Sequence, residues 1–231
     1  MKKKTLKEKI NKVCWWTAGL TVLYFIVGAF LKSDGTKFDP VKTYDLIKDT
    51  LTLTATFLAP VAAFVLFSDW RKQHEDVALE SDSTNVFNRL NDVKDKLLEA
   101  HFAIDDEKFD VEHVNEILSE ITTEIKNIRS VNSQIKARKN GINFSECADK
   151  LIDGIVALSL DLSQLSVYKI KILNPEEYND YVETSPEEYA EHIQFNYYNA
   201  LLFQITRSYP NLNTLKANLS SLCDELKVRT S

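Results

Sequence analysis

Two uncharged runs near the N-terminus stand apart from everything that follows. Val13 to Leu31, VCWWTAGLTVLYFIVGAFL, is nineteen residues without a charge, and Leu51 to Phe67 carries none before Asp69-Trp70-Arg71-Lys72 closes it. Crossing a bilayer takes roughly 17–25 apolar residues at about 1.5 Å each. Both runs reach that length, the second when counted over about 50–70. Trp15 and Trp16 stand at the entry of the first run; Trp70, Arg71 and Lys72 stand at the exit of the second. Interfacial anchors have this aromatic and basic character. A buried core helix is the soluble alternative for one such run, and a second run next to it disfavours that reading. A basic start and an apolar run also describe a secretory signal, with Val27-Gly28-Ala29 as a loose cleavage site. The run is long and aromatic for a signal core, so a retained span is expected.

Beyond residue 73 the apolar positions fall into helical register. Val86, Leu90, Val93 and Leu97 step by four, three and four, and Val114, Leu118, Ile121, Ile125 and Ile128 continue in the same way to Ile135. This period of 3.5–3.6 predicts two helices forming a coiled-coil-like hairpin through Asp105-Asp106-Glu107. Asn140-Gly141 reads as a C-cap, and Asn143 or Ser145 as the cap of a leucine-rich helix running to about Leu173. Pro-Glu-Glu-Tyr after Asn174 suggests a short turn. Ser185-Pro186-Glu187-Glu188 is a strong helix start, and Pro210 is expected to end that helix before another opens at Asn213. The predicted fold is all-α, a two-helix transmembrane hairpin followed by a cytoplasmic helical bundle. Its divisions are a basic N-terminus at 1–12, a hairpin at 13–72 with spans about 13–31 and 50–70 and a loop at 32–49, and a helical domain at 73–231.

Charge sets the orientation. Residues 1–74 hold twelve Lys/Arg against six Asp/Glu, a balance of +6, and residues 75–231 hold sixteen against twenty-eight, a balance of −12. The lysine-rich start and the Arg71-Lys72 pair flank one side of the hairpin, whereas the loop at 32–49 carries four Lys and four Asp. The positive-inside rule then puts both termini in the cytoplasm, with a short loop outside. The acidic body argues against nucleic-acid contact. Three scattered cysteines, Cys14, Cys147 and Cys223, imply no disulfide framework.

A catalytic constellation does not assemble from these residues. The glycines are isolated, so no phosphate loop forms. His101 and His113 face each other across the predicted hairpin, but solvated surface residues are the plainer reading of both. The acidic stretch from Asp105 to Glu112 lacks the glycine turn and terminal glutamate of a calcium loop. Cys147 and Cys223 lie on apolar stripes with no histidine nearby in sequence. No enzyme activity, cofactor, metal or small-molecule substrate is expected.

The chemistry that remains is in the apolar runs. Ala55, Ala59 and Ala63 fall at i, i+4 and i+8, a small-residue stripe along which helix backbones approach closely. Thr52 and Thr56 lie beside it, and Pro60 removes one backbone donor. Two uses are open: packing inside the hairpin against Gly19 and Gly28, or a face for self-association that lines a polar path.

The segment FLAPVAAFVLFSDWRKQHE, Phe57 to Glu75, resembles the second span of small bacterial membrane proteins from mobile defence loci, among them the two-transmembrane effectors associated with retrons. The resemblance covers about twenty residues and the two-span plan. It implies an abortive-infection effector that is held silent and then released against the host's own membrane when a phage is sensed. Its partners would be the lipid bilayer, further copies of itself and a sensor complex from the same locus. The alternative expectation is a membrane-anchored scaffold that recruits a cytoplasmic partner.

Overall fold

The computed structural model describes residues 6–32, 40–179 and 185–228. The lysines at 2–4 and the Gly35 turn lie outside the described residues. Helix α1 spans Leu6–Lys32 and α2 spans Pro40–Asp105; α3 follows at Val111–Lys136, α4 at Ile142–Leu173 and a short α5 at Pro175–Tyr178. Helix α6, Pro186–Ile193, passes through a π-helical turn at Gln194–Tyr198 into α7, Asn199–Val228. Among the described residues there is no strand. The chain divides into two compact units, Met1–Glu75 and Asp76–Ser231.

In the first unit the predicted loop is shorter than expected. Pro40 occupies the first position of α2, where its missing N–H costs nothing and its fixed φ suits a helix. Residues 40–49 are therefore helical. Helix α2 also continues through Pro60.

The second unit is built on heptads. In α2 the buried positions are Leu79, Ser83, Val86, Leu90, Val93, Leu97, Ala100 and Ile104, alternating steps of four and three. Helix α3 repeats the pattern from Val114 through Ile121 and Ile128 to Ile135, and α4 from Phe144 through Leu151 and Leu158 to Leu165. Such a period keeps one seam of each helix facing its neighbours.

Cross-helix bonds give the order of packing. Arg89 and Lys96 of α2 pair with Glu124 and Glu120 of α3. Arg129 and Lys136 of α3 reach Asp153 and Asp149 of α4 at 2.8 and 3.2 Å. Asp161 of α4 accepts from Gln204 of α7 at 3.2 Å, and Thr84 of α2 meets Cys223 of α7 at 3.6 Å. For α2–α3 and α3–α4 the numbers rise on one helix as they fall on the other, and Cys147–Leu215 with Asp161–Gln204 does the same for α4–α7, so α2, α3, α4 and α7 run up, down, up and down. Helices α4 and α7 approach closely at Gly154, where an added Cβ would lie 2.7 Å from a Leu212 methyl. The exposed ion pairs, screened by solvent, contribute little to stability. Burial of the apolar seams dominates, at roughly 1.5–3 kcal/mol per large side chain.

Three local expectations are corrected. Pro210 does not end a helix: α7 runs through it, because Ile205 and Leu212 on either side are buried in the same seam as Leu219 and Leu226. The irregularity falls upstream instead, at the π turn. Asn140-Gly141 does not cap α3, which closes at Ala137; Gly141 is the N-cap of α4. Ser145 lies inside α4, buried, with its hydroxyl donating to the carbonyl of Asn132 at 3.3 Å. The start at Ser185 is a full capping box with Glu188, as its sequence implies.

Candidate functional site

Among the described residues three helices are long and apolar enough to cross a membrane, lying within Asn11–Phe30, Tyr44–Asp105 and Ile142–Leu173. Their surroundings separate them. In the third, 39% of the most apolar window is buried in protein, against 0% and 6% in the first two. Helix α4 thus buries a substantial part of its hydrocarbon inside the second unit. Helix α1 and the apolar part of α2 leave theirs outside, including Leu20, Leu23, Ile26, Phe30, Phe64 and Phe67. An exposed apolar surface of that extent marks an interaction site.

The two helices meet along a seam rich in threonine. Thr21 and Thr54 Oγ1 lie 2.8 Å apart, within hydrogen-bonding reach of each other. About two turns further on, Gly28 receives the side chain of Leu46, which occupies the place of a Cβ. Because 21 pairs with 54 and 28 with 46, the helices are antiparallel. The stripe that α2 turns to α1 is Leu46, Thr50, Thr54 and Leu58, and the facing stripe is Val13, Thr17, Thr21 and Gly28. Threonine suits such a seam, since its hydroxyl is satisfied by its own helix. Thr17 donates to Val13 O at 2.9 Å, Thr50 to Leu46 O at 2.6 Å and Thr54 to Thr50 O at 2.7 Å.

Ala55, Ala59 and Ala63 are not on this seam. All three are exposed, as are Thr52, Thr56 and Pro60. Thr52 and Thr56 bond back to Lys48 O and Thr52 O, each at 2.8 Å. The packing of alanine against glycine within the pair is therefore not what the structure has. Gly28 packs against leucine, and Gly19 has no neighbour within 4 Å of an added Cβ. The spacing of α2 accounts for this: with 46, 50, 54 and 58 turned inward, 55, 59 and 63 point roughly 100° away. The sequence signal for the real seam was the repeat of threonine at i, i+4 in both runs.

Trp15, Trp16 and Trp70 are all exposed, and Phe67 and His74 lie against the Trp70 ring at 5.9 and 5.5 Å. Arg71 and Lys72 are exposed, with Arg71 3.9 Å from Glu75.

The titratable groups of the second unit are occupied structurally. The His101 ring lies flat on Tyr209 at 5.6 Å, and partial burial lowers its pKa against the opposing pull of Asp105. Burial raises the Tyr209 phenol to about 12. Burial also raises the Cys147 thiol, away from a thiolate nucleophile. Among the described residues no group of three or more His, Cys, Asp or Glu is placed to hold a metal ion. Exposed aromatics gather near the π turn: Phe195, Tyr197 and Phe203. Tyr197 packs on Tyr168 and His192 there.

Searches against protein families, curated proteins and solved structures return no match for this chain.

Proposed function

We propose that α1 and the apolar part of α2 cross a bacterial inner membrane as an antiparallel pair, both termini cytoplasmic, and that the protein acts on that membrane. It is read as a membrane-perturbing effector of anti-phage defence, of the abortive-infection kind its second run resembles. The acidic helical unit serves as the control element. Catalysis has no part in this reading. The output is a change in permeability when copies associate.

One observation carries the proposal. The seam between α1 and α2 uses Leu46, Thr50, Thr54 and Leu58, which leaves Ala55, Ala59 and Ala63 on the outside of the pair. Helices in lipid gain little from burying leucine and associate through close backbone contact, for which small residues are suited. A stripe of alanines facing outward after the internal packing is complete is available to a second copy. The flanking Thr52 and Thr56 add hydroxyls to the same side.

The test is a membrane-potential dye read during induced expression and again during phage infection. Depolarisation is expected from the native chain, with at least tenfold less from Ala59→Leu. Because Ala59 is exposed, the substitution leaves the pair itself intact. An unchanged potential under both conditions overturns the effector reading. A scaffold is the second reading, favoured by the exposed Phe195, Tyr197 and Phe203 around the π turn. A scaffold tolerates replacement of both spans by an unrelated hairpin; the effector does not.

A further inference from the structure

A groove of about 620 Å³ runs along one side of the α1–α2 seam. That volume lies within the range of small-molecule sites. Its walls come from Val13, Thr17 and Leu20 of α1 and Leu53, Val61 and Val65 of α2, with Lys12 and Trp16 at one end. The threonine hydroxyls that line it are bonded to the carbonyls of their own helices, so they ask nothing of an occupant. The wall is in effect hydrocarbon.

The groove has one charged end and one closed end. Lys12 is the last lysine before the uncharged run. Beyond Tyr24 and Thr50 the seam shuts, where Leu46 fills the space over Gly28 and is itself buried. From Lys12 to Tyr24 is twelve residues of helix, or about 18 Å. A single leaflet of bilayer hydrocarbon is about 15 Å deep, half of the usual thickness. The cleft therefore has the depth of one leaflet, a cation where headgroups lie, and a stop near mid-bilayer.

We infer that this groove binds one acyl chain of an anionic phospholipid from the lysine-side leaflet, the headgroup phosphate resting on Lys12. The inference builds on the membrane reading above and adds a ligand class to it. A second copy's helix would also be apolar, but it would have no use for a cation at one end or for a dead end half-way. The occupant chosen is the one whose length and charge match both ends.

Trp16 is the reporter. The chain has three tryptophans, so Trp15→Phe with Trp70→Phe isolates Trp16, and Trp16→Phe with Trp70→Phe isolates its neighbour. Trp15 sits at similar depth but does not line the groove. The full chain is reconstituted in vesicles of phosphatidylglycerol and phosphatidylcholine, with bromine on the chains of one lipid at a time. Lipid within reach of Trp16 is expected to be about fivefold richer in the anionic species than the bulk mixture, as roughly 1 kcal/mol of attraction to one lysine gives. Trp15 is expected to report an enrichment markedly smaller than that. Lys12→Glu abolishes the excess and Lys12→Arg keeps it. Val61→Phe, at an exposed position that only narrows the groove, lowers quenching at Trp16 and leaves Trp15 unaltered.

Equal enrichment at both tryptophans overturns the inference, since diffuse attraction to the basic terminus would then suffice. Trp16 shielded from both lipids also overturns it, because a protein helix would then occupy the groove. If bromine on either lipid quenches neither tryptophan, the chain is not in the bilayer, and the membrane reading fails with the inference.

Discussion

Helix α4 and the apolar part of α1 show how similar hydrocarbon content leads to two different structures. Both are long and apolar enough to span a membrane. Helix α4, however, interleaves charges such as Asp149, Asp153 and Asp161 with its leucines, and its apolar positions keep a heptad. A stripe of that kind is covered by neighbouring helices, as Phe144, Leu151, Leu158 and Leu165 are here. Helix α1 is apolar on every side between Val13 and Phe30, and a single partner helix covers only one stripe of it. The distribution of apolar residues around the axis, more than their number, decides how much of the helix its neighbours cover.

The sharpest way to break this comparison is to remove hydrocarbon from each helix. Leu162 of α4 is fully buried, whereas Leu23 of α1 is 58% exposed. Leu162→Ala is expected to cost about 2–5 kcal/mol, read as a lower thermal midpoint of the full chain in detergent. Leu23→Ala leaves that midpoint within about 0.5 kcal/mol, as surface changes do. Comparable losses at the two sites would refute the contrast.

Adding charge sharpens the contrast from the other side. Leu23→Lys places a cation near the middle of α1, at about 3 kcal/mol on the insertion scale, and carbonate extraction should release a larger fraction of the chain. Leu160→Lys makes the same change at a 66% exposed position of α4 and should leave extraction unaltered. If Leu160→Lys also released the chain, α4 would be in contact with lipid.

The smallest effect is a pH dependence confined to the second unit. The pKa of His101 is lowered in the folded state, first by desolvation. Its contribution is therefore present above the ordinary histidine pKa of about 6.5 and is lost as pH falls through the folded value. Full-chain denaturation should show stability declining on that acid limb, and His101→Gln should flatten part of the decline. An unchanged slope would mean that stacking on Tyr209 does not bias the imidazole toward its neutral form.

Much of this was legible in the residue pattern, and the failures have physical causes. The uncharged runs and the heptads from Val86 to Ile135 correctly announced their helices, since period and length are local properties. Pro210 was misread because its local cost, one lost donor and a crowded turn, is outweighed by burial of Ile205 and Leu212 on either side. The π turn at Gln194–Tyr198 left no signal; its extra residue accommodates the five-residue step from buried Ile193 to buried Tyr198, from which the α7 heptad continues. In the membrane-like pair, alanine spacing was the familiar sign of close packing, yet threonine spacing marked the seam. Both patterns repeat every four residues, so periodicity alone did not choose between them.

That seam has an arithmetic of its own. Thr21 and Thr54 take part in three close oxygen contacts: each hydroxyl reaches the carbonyl four residues back, and the two reach each other. Two hydroxyls have only two protons to give, so one of the three links is always idle. If the helices drew apart, each proton would already have an acceptor on its own chain, and no donor would be stranded in oil. The pair is a clasp whose two halves part and reclose at low cost.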